Sequence, residues 1–352
     1  MKVKQYIYHW LFFPLLVLLL ASGTTGCSNE SAMEEEEATY GKTSLVVTVR
    51  SITTAPDNAT TYYDEYVKKL RIIGFDASGN LVCNGFYDQL KQVTNAASIE
   101  ITQELQNFQG GTCKLYFIAN EDNYFIANED NYTTFTSNAT SLTAFLEDEN
   151  STLTEKKLND CIINASSTND SGGTNPILMT AQTSVYIQSG KTEQNIGTIK
   201  LVRCVAKVQL QIVDETESAI ITGTPTLSGS YPDSYSLLDV GTCTNRTGDN
   251  SYSVELNVKN DDKTLYTSQE IYFPERLFTP DANTEANALK FSFTLNDTPY
   301  TAAVADETGR DFNIRRNTHY TVIATLKKKE TVTFNVMVNA WGEKTMDVPA
   351  FE

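Results

Sequence analysis

Between Thr331 and Ala340 an apolar side chain stands at every second position. Val332, Phe334, Val336, Val338 and Ala340 fall on one side, and Thr331, Thr333, Asn335, Met337 and Asn339 on the other. A period of two is the mark of a strand with one buried face, and this segment (331–341) is the clearest instance in the chain. Ser44 to Arg50 repeats the pattern with Leu45, Val47 and Val49. Tyr66 to Phe75 reads as a second strand, Asp76 to Asn80 as a hairpin turn, and Leu81 to Cys83 as the return. Further strands are expected at 98–101, 113–119, 199–213, 251–258, 268–273, 287–295 and 318–327. Residues 140–150 place Leu142, Phe145 and Leu146 on one side, the spacing of one short helix. Ser189-Gly190-Lys191-Thr192 is the best candidate for a domain boundary. The pattern predicts an all-β fold of two β-sandwich domains, 44–192 and 193–352, with the helix in the first.

The N-terminus changes the compartment. Lys2 and Lys4 precede an apolar run from Trp10 to Leu20, then small residues lead to Cys27. That order predicts a secretory signal over 1–26. A Cys directly after such a site predicts acylation of its thiol, hence a lipoprotein anchored by its acyl chains. Residues 27–43, with Glu34 to Glu37, carry too little apolar content to repay ordering and are expected to form a solvated acidic tether. The net charge of the chain is −17, and loss of Lys2 and Lys4 makes it two units more negative. Such a surface argues against nucleic acid and against electrostatic docking on anionic lipid.

Beyond Cys27 there are five cysteines (Cys83, Cys113, Cys161, Cys204 and Cys243), an odd number without paired spacing, which predicts no disulfide framework. Cys204 lies in line with Val202, Ala206, Val208, Leu210 and Ile212, so it is expected on the buried face of a strand as a small hydrophobe. Catalytic chemistry is hard to assemble. His9 leaves with the signal, and His319 is then the sole imidazole, beside a strand start and without a nucleophile signature. No Cys-x-x-Cys, phosphate loop or dinucleotide pattern occurs. The octapeptide YFIANEDN stands at 116–123 and again at 124–131. Its even length keeps the faces of a strand in phase. Its Glu-Asp-Asn triplets lack the spacing and glycine of a calcium loop. The expectation is a non-enzyme without metal or cofactor.

Six segments in order resemble the fimbrillins, lipoprotein precursors of type V pili in Bacteroides-like bacteria. They are VKKLRIIGFDASGNLV (67–82), KLYFIAN (114–120), IKLVRCVAKVQLQI (199–212), IYFPERL (271–277), IRRNTHYTVIATL (314–326) and VNAWG (338–342). The resemblance implies two transthyretin-like β-sandwich domains in tandem, and outer-membrane lipoprotein precursors that assemble with other fimbrial subunits for adhesion and biofilm formation. It also implies assembly by strand exchange. A protease cleaves after an Arg near the first strand, that opening ribbon is lost, and a neighbour's strand fills the groove. Mapped here, the removable strand carries Leu45, Val47 and Val49, and cleavage falls between Arg50 and Ser51. Arg50 reads equally as a strand-end charge. The donor is the C-terminal segment with Val332, Phe334, Val336, Val338 and Trp341. Eleven residues follow Trp341, a short arm, so the alternative is a non-polymerising surface lipoprotein: a pilus tip or anchor, or an adhesin for glycans or host proteins.

Overall fold

The computed structural model describes residues 43–51, 67–88, 90, 98–122, 124, 141–147, 153–164, 177–232, 234–239, 247–253, 256–258, 264–328 and 331–340. Cys27 and the signal and tether segments, Cys243, Trp341 and most of the second octapeptide copy lie outside them. Among the described residues the fold is strand upon strand, with two short helices and two 3₁₀ turns.

Seven strands of the N-terminal half make one sheet. They are β1 (Thr43–Ser51), β2 (Leu70–Asp76), β3 (Leu81–Tyr87), β4 (Ser98–Leu105), β5 (Gly111–Ala119), β7 (Met179–Ile187) and β8 (Glu193–Arg203), in the order β3-β2-β5-β7-β8-β1-β4. The β2–β3 hairpin forms as its sequence dictates. The Asp76 carboxylate accepts from the amides of Ser78 and Asn80 at 2.8 Å each, and Gly79 takes φ +82°. The sheet curls until its two ends meet. The Gln106 amide donates to the Val82 carbonyl at 2.7 Å, and the Tyr87 hydroxyl to Thr102 O at 3.0 Å. Its concave side holds a core of Leu45, Leu70, Ile72, Cys113, Leu115, Phe117, Ile199 and Leu201.

Part of the outer face of the same sheet is buried too. Ile73, Phe75, Tyr116 and Ile118 pack beneath α1 (Leu142–Glu147) and α2 (Glu155–Asn159), which is why every residue of β2 except Asp76 is buried. The expected helix is present but spans six residues, and α2 was not foreseen.

The second half uses two further sheets. β9 (Val205–Asp214), β13 (Leu256–Val258), β14 (Leu265–Ser268), β18 (Thr318–Lys327) and β19 (Thr331–Ala340) run in the order β13-β14-β9-β18-β19, and β15 (Ile271–Pro274) also pairs with β9. β10 (Ile221–Pro232), β12 (Thr247–Ser253), β16 (Lys290–Leu295) and β17 (Thr298–Ala303) form the other, in the order β12-β10-β16-β17. A small ladder joins β6 (Ile162–Asn164) to β11 (Ser234–Ser236). Phe291, Phe293 and Leu295 of β16 meet Val208, Leu210 and Val322 in a core that continues to α1 and α2.

Two expectations, for 199–213 and for the last strand, need correction. The strand expected over 199–213 is two strands broken at Cys204, where the chain passes from one sheet to another. Cys204 is buried as expected, but so are Arg203, Lys207 and Gln209 on the opposite side. Polar partners make that burial tolerable: Arg203 donates to Asn317 Oδ1 at 3.1 Å and Gln209 to Ser268 O at 3.0 Å. The Ser189–Thr192 segment is the turn between β7 and β8, two strands of one sheet. Finally, β19 is a sheet edge without a buried residue, because it has a neighbour on one side only.

Candidate functional site

β1 lies inside its sheet rather than on the rim. It pairs antiparallel with β4 from Thr43↔Leu105 to Arg50↔Ser98, and parallel with β8 from Ser44↔Glu193 to Ser51↔Leu201. Both edges of its backbone are therefore hydrogen-bonded, with a bulge where the register skips Ile196, between Val46 and Val47. Leu45 is fully buried, opposite Gln103; Val47 stands opposite Ile101, and Val49 between Ile99 and Ile199. Burial of a leucine of this kind contributes about 1.5–3 kcal/mol. The backbones of Arg50 and Ser51 still pair, with Lys200 and Leu201 of β8, so a protease acting there must first unzip the end of β1.

The candidate donor residues lie in another sheet. β19 pairs with β18 over all ten residues. Val332, Val336 and Val338 are half-buried against the core, whereas Phe334 is 43% exposed. Its ring rests on Phe293 and Tyr300, centroids 6.2 Å from each. The structure thus does not bring the β1 and β19 residues together within one molecule.

What sequence reasoning missed are buried ion pairs. Arg71 Nε and Nη2 donate to the two Glu121 oxygens at 2.8 and 2.6 Å, Nη1 to Asn84 Oδ1 at 3.0 Å, and Nη2 also to Glu147 at 2.9 Å. The guanidinium lies 4.7 Å from the Phe86 ring centre. Burial alone would lower the Arg71 pKa; the two glutamates outweigh it and raise it. Glu121 belongs to the first octapeptide copy, which does not extend a strand: β5 stops at Ala119, and Asn120 turns the chain at φ 62°. In the second half Arg316 Nε donates to Glu275 Oε2 at 2.8 Å, and its Nη2 to Ser236 O at 2.9 Å. The signal was present: Glu275 and Arg316 sit in two of the six ordered segments, and the fold pairs them.

The His319 side chain is half-buried near the start of β18. Its Nε2 is buried without a hydrogen-bond partner, and burial lowers its pKa, with Glu270 opposing and Lys207 assisting. The four described cysteines (Cys83, Cys113, Cys161 and Cys204) are free and buried. Burial pushes the Cys161 thiol up to about 12, which keeps it un-ionised and unreactive. Among the described residues, no group of three or more His, Cys, Asp or Glu gathers as for a metal, and no helix is long and apolar enough to cross a membrane.

Residues 43–203, from the first residue of β1 to the last of β8, match the family model for the major fimbrial subunit protein (FimA). The structure is similar to the tip fimbrial protein Mfa3 from Porphyromonas gingivalis, at 14% identity and TM-score 0.52 over 85% of this chain and 100% of that one. It is similar also to a putative cell adhesion protein from Parabacteroides distasonis, at 14% identity and TM-score 0.53 over 88% and 99%. No curated protein matches the chain.

Proposed function

We propose, from the match of residues 43–203 to the family model for the major fimbrial subunit protein (FimA), that the chain is a subunit of a type V fimbria that assembles by protease-triggered strand exchange. In this reading the precursor is exported with a signal over 1–26, acylated on Cys27, tethered through 27–43, and held at the outer membrane as a lipoprotein. Two transthyretin-like sandwiches follow, drawn at 44–192 and 193–352, with the change of sheet at Cys204 favouring a junction slightly later. Cleavage between Arg50 and Ser51 releases β1. Other fimbrial subunits then supply a strand, and the polymer supports adhesion and biofilm formation. No cofactor or metal takes part.

One observation carries the proposal: β1 occupies a slot bounded on both sides by strands, with Leu45 buried beneath it. A lost rim strand exposes one row of backbone groups. A lost inner strand exposes two facing rows, on β4 and β8, over an apolar floor, and such a slot selects a replacement strand. The alternative, a tip, anchor or adhesin that does not polymerise, draws on the complete pairing of β19 with β18, which a donor would have to break.

Sequencing the N-terminus of protein sheared from cells separates the two. The proposal expects Ser51 as first residue, and heat-sensitive ladders on a denaturing gel. Protein that keeps acylated Cys27 and stays monomeric after trimming at Arg50 defeats it.

A further inference from the structure

On the outer face of the first sheet, away from β1, a cleft of about 440 Å³ opens between α2 and the β5 and β7 strands. Its volume falls in the range of small-ligand sites. Every lining residue carries a polar group, beside a comparable share of apolar surface: Lys114 and Tyr116 from β5, Glu155 and Asn159 from α2, and Gln182, Thr183 and Ser184 from β7. The charges cancel within it. Lys114 Nζ donates to both Glu155 oxygens at 2.8 and 3.1 Å, and the Tyr116 hydroxyl donates to Glu155 at 2.7 Å. Hydrogen bonding from Lys114 lowers the Glu155 pKa against the opposing effect of burial, and Tyr116 is pushed up to about 12, chiefly by burial. The cation and the carboxylate are thus already paired, which leaves neither an anion nor a metal ion an open partner.

The ion pair explains how α2 is pinned to the sheet, but it does not explain β7. There Gln182, Ser184 and Tyr186 share one face by strand period and all point to solvent. Tyr186 is 69% exposed, more than any other large apolar or aromatic side chain among the described residues. Its position is about 7 Å beyond Ser184 along the strand. A flat ring beside a neutral cleft of amides and hydroxyls is complementary to a molecule with an apolar C–H face and many hydroxyl groups.

We propose that this cleft with Tyr186 binds an uncharged saccharide, one sugar ring lying on the tyrosine and its neighbour reaching Gln182, Ser184 and Asn159. This goes beyond subunit assembly, since β1 and β19 contribute nothing to the cleft. Titration calorimetry of the purified full chain with cellohexaose, maltohexaose and mannohexaose tests it, with a heparin hexasaccharide as the charged comparison. At least one neutral hexasaccharide should bind saturably at millimolar concentration or below. Tyr186→Ala should weaken that binding about tenfold or more, near 1.4 kcal/mol, and Gln182→Ala should weaken it as well. Ile220→Ala, also strongly exposed but in the second half, should leave it unchanged. Because Tyr186 is so exposed, its variant should keep the parent circular dichroism and form the same gel ladders, so a failure of assembly and a failure of this site are told apart. Binding by none of the three, binding of the heparin fragment alone, or undiminished binding by Tyr186→Ala overturns the proposal.

Discussion

Arg71 keeps its charge at 2% side-chain exposure because Glu121, itself at 0%, meets it with both carboxylate oxygens. Glu147 reaches the same guanidinium from a side chain 51% exposed. The two acids should therefore differ sharply in consequence. Glu121→Gln leaves a buried cation half-compensated and should cost about 3 kcal/mol of unfolding free energy. Glu147→Gln loses a solvated partner and should cost less than about 1 kcal/mol. Urea unfolding of the two variants checks the contrast, and equal losses would refute it. His319 gives the second residue-scale expectation. Its folded pKa is depressed, so as the pH falls through the ordinary histidine value, about 6.5, the unfolded chain takes up the proton first and stability declines. Stability measured from roughly pH 7 to 5 should fall in the parent and fall less in His319→Gln. Little of this was readable beforehand. Alternation marks which residues face inward, but Glu121 and Arg71 lie 50 positions apart, and no local pattern announces that a polar residue will be buried with its partner.

Among the elements, alternation found those with one strongly apolar face: β1, β2, β5, β9, β18 and the hairpin return to β3. It missed β7 and β10. β10 reads Ile-Thr-Gly-Thr-Pro-Thr-Leu-Ser-Gly-Ser-Tyr-Pro, a turn-like composition, and it forms a strand because β12 and β16 pair with it on either side. Tertiary pairing there overrides local preference. The segments expected at 251–258 and 268–273 each proved to be two strands, β12 with β13 and β14 with β15. The expectation for β19 failed for another reason. Periodicity reports which side chains share a face and says nothing of whether the strand has one neighbour or two. A glycine shows how finely the elements fit around the β1 slot. A Cβ on Gly85 of β3 would stand 1.9 Å from Gln103 Oε1. That amide is held in place, accepting from the Tyr87 hydroxyl at 2.9 Å and donating to Glu104 O at 2.7 Å. Gln103 pairs directly with Leu45. Gly85→Ala should cost about 1–3 kcal/mol by overpacking, and adding Gln103→Ala should recover part of the loss. If the double variant is as unstable as the two single losses summed, the clash is not the cause.

At the level of the whole molecule, the property that matters is how β1 is inserted. Leu45, Val47 and Val49 could be picked out from their spacing, and so could the basic residue that ends the strand. The two-sided pairing could not, because β8 follows some 150 positions later and joins in parallel without a local signature. That arrangement makes a definite demand on a chain that begins at Ser51. The amides of β4 and β8 that face the slot lose their partners, and Leu45 leaves a hollow in the core. Both strands should then exchange hydrogen far faster than in the parent, while β18, in another sheet, keeps its protection. A synthetic peptide of residues 43–50 should restore protection of β4 and β8 in a saturable way. The same peptide with Leu45→Asp should not, since an unpaired carboxylate would have to enter the apolar floor. A peptide of residues 331–340 tests the donor directly: its Val332, Val336 and Val338 supply the alternation the slot selects, so it should restore the same amides. Full protection of β4 and β8 in the shortened chain without any peptide would mean that the sheet closes over the gap by itself, and no strand from a neighbour would then be needed.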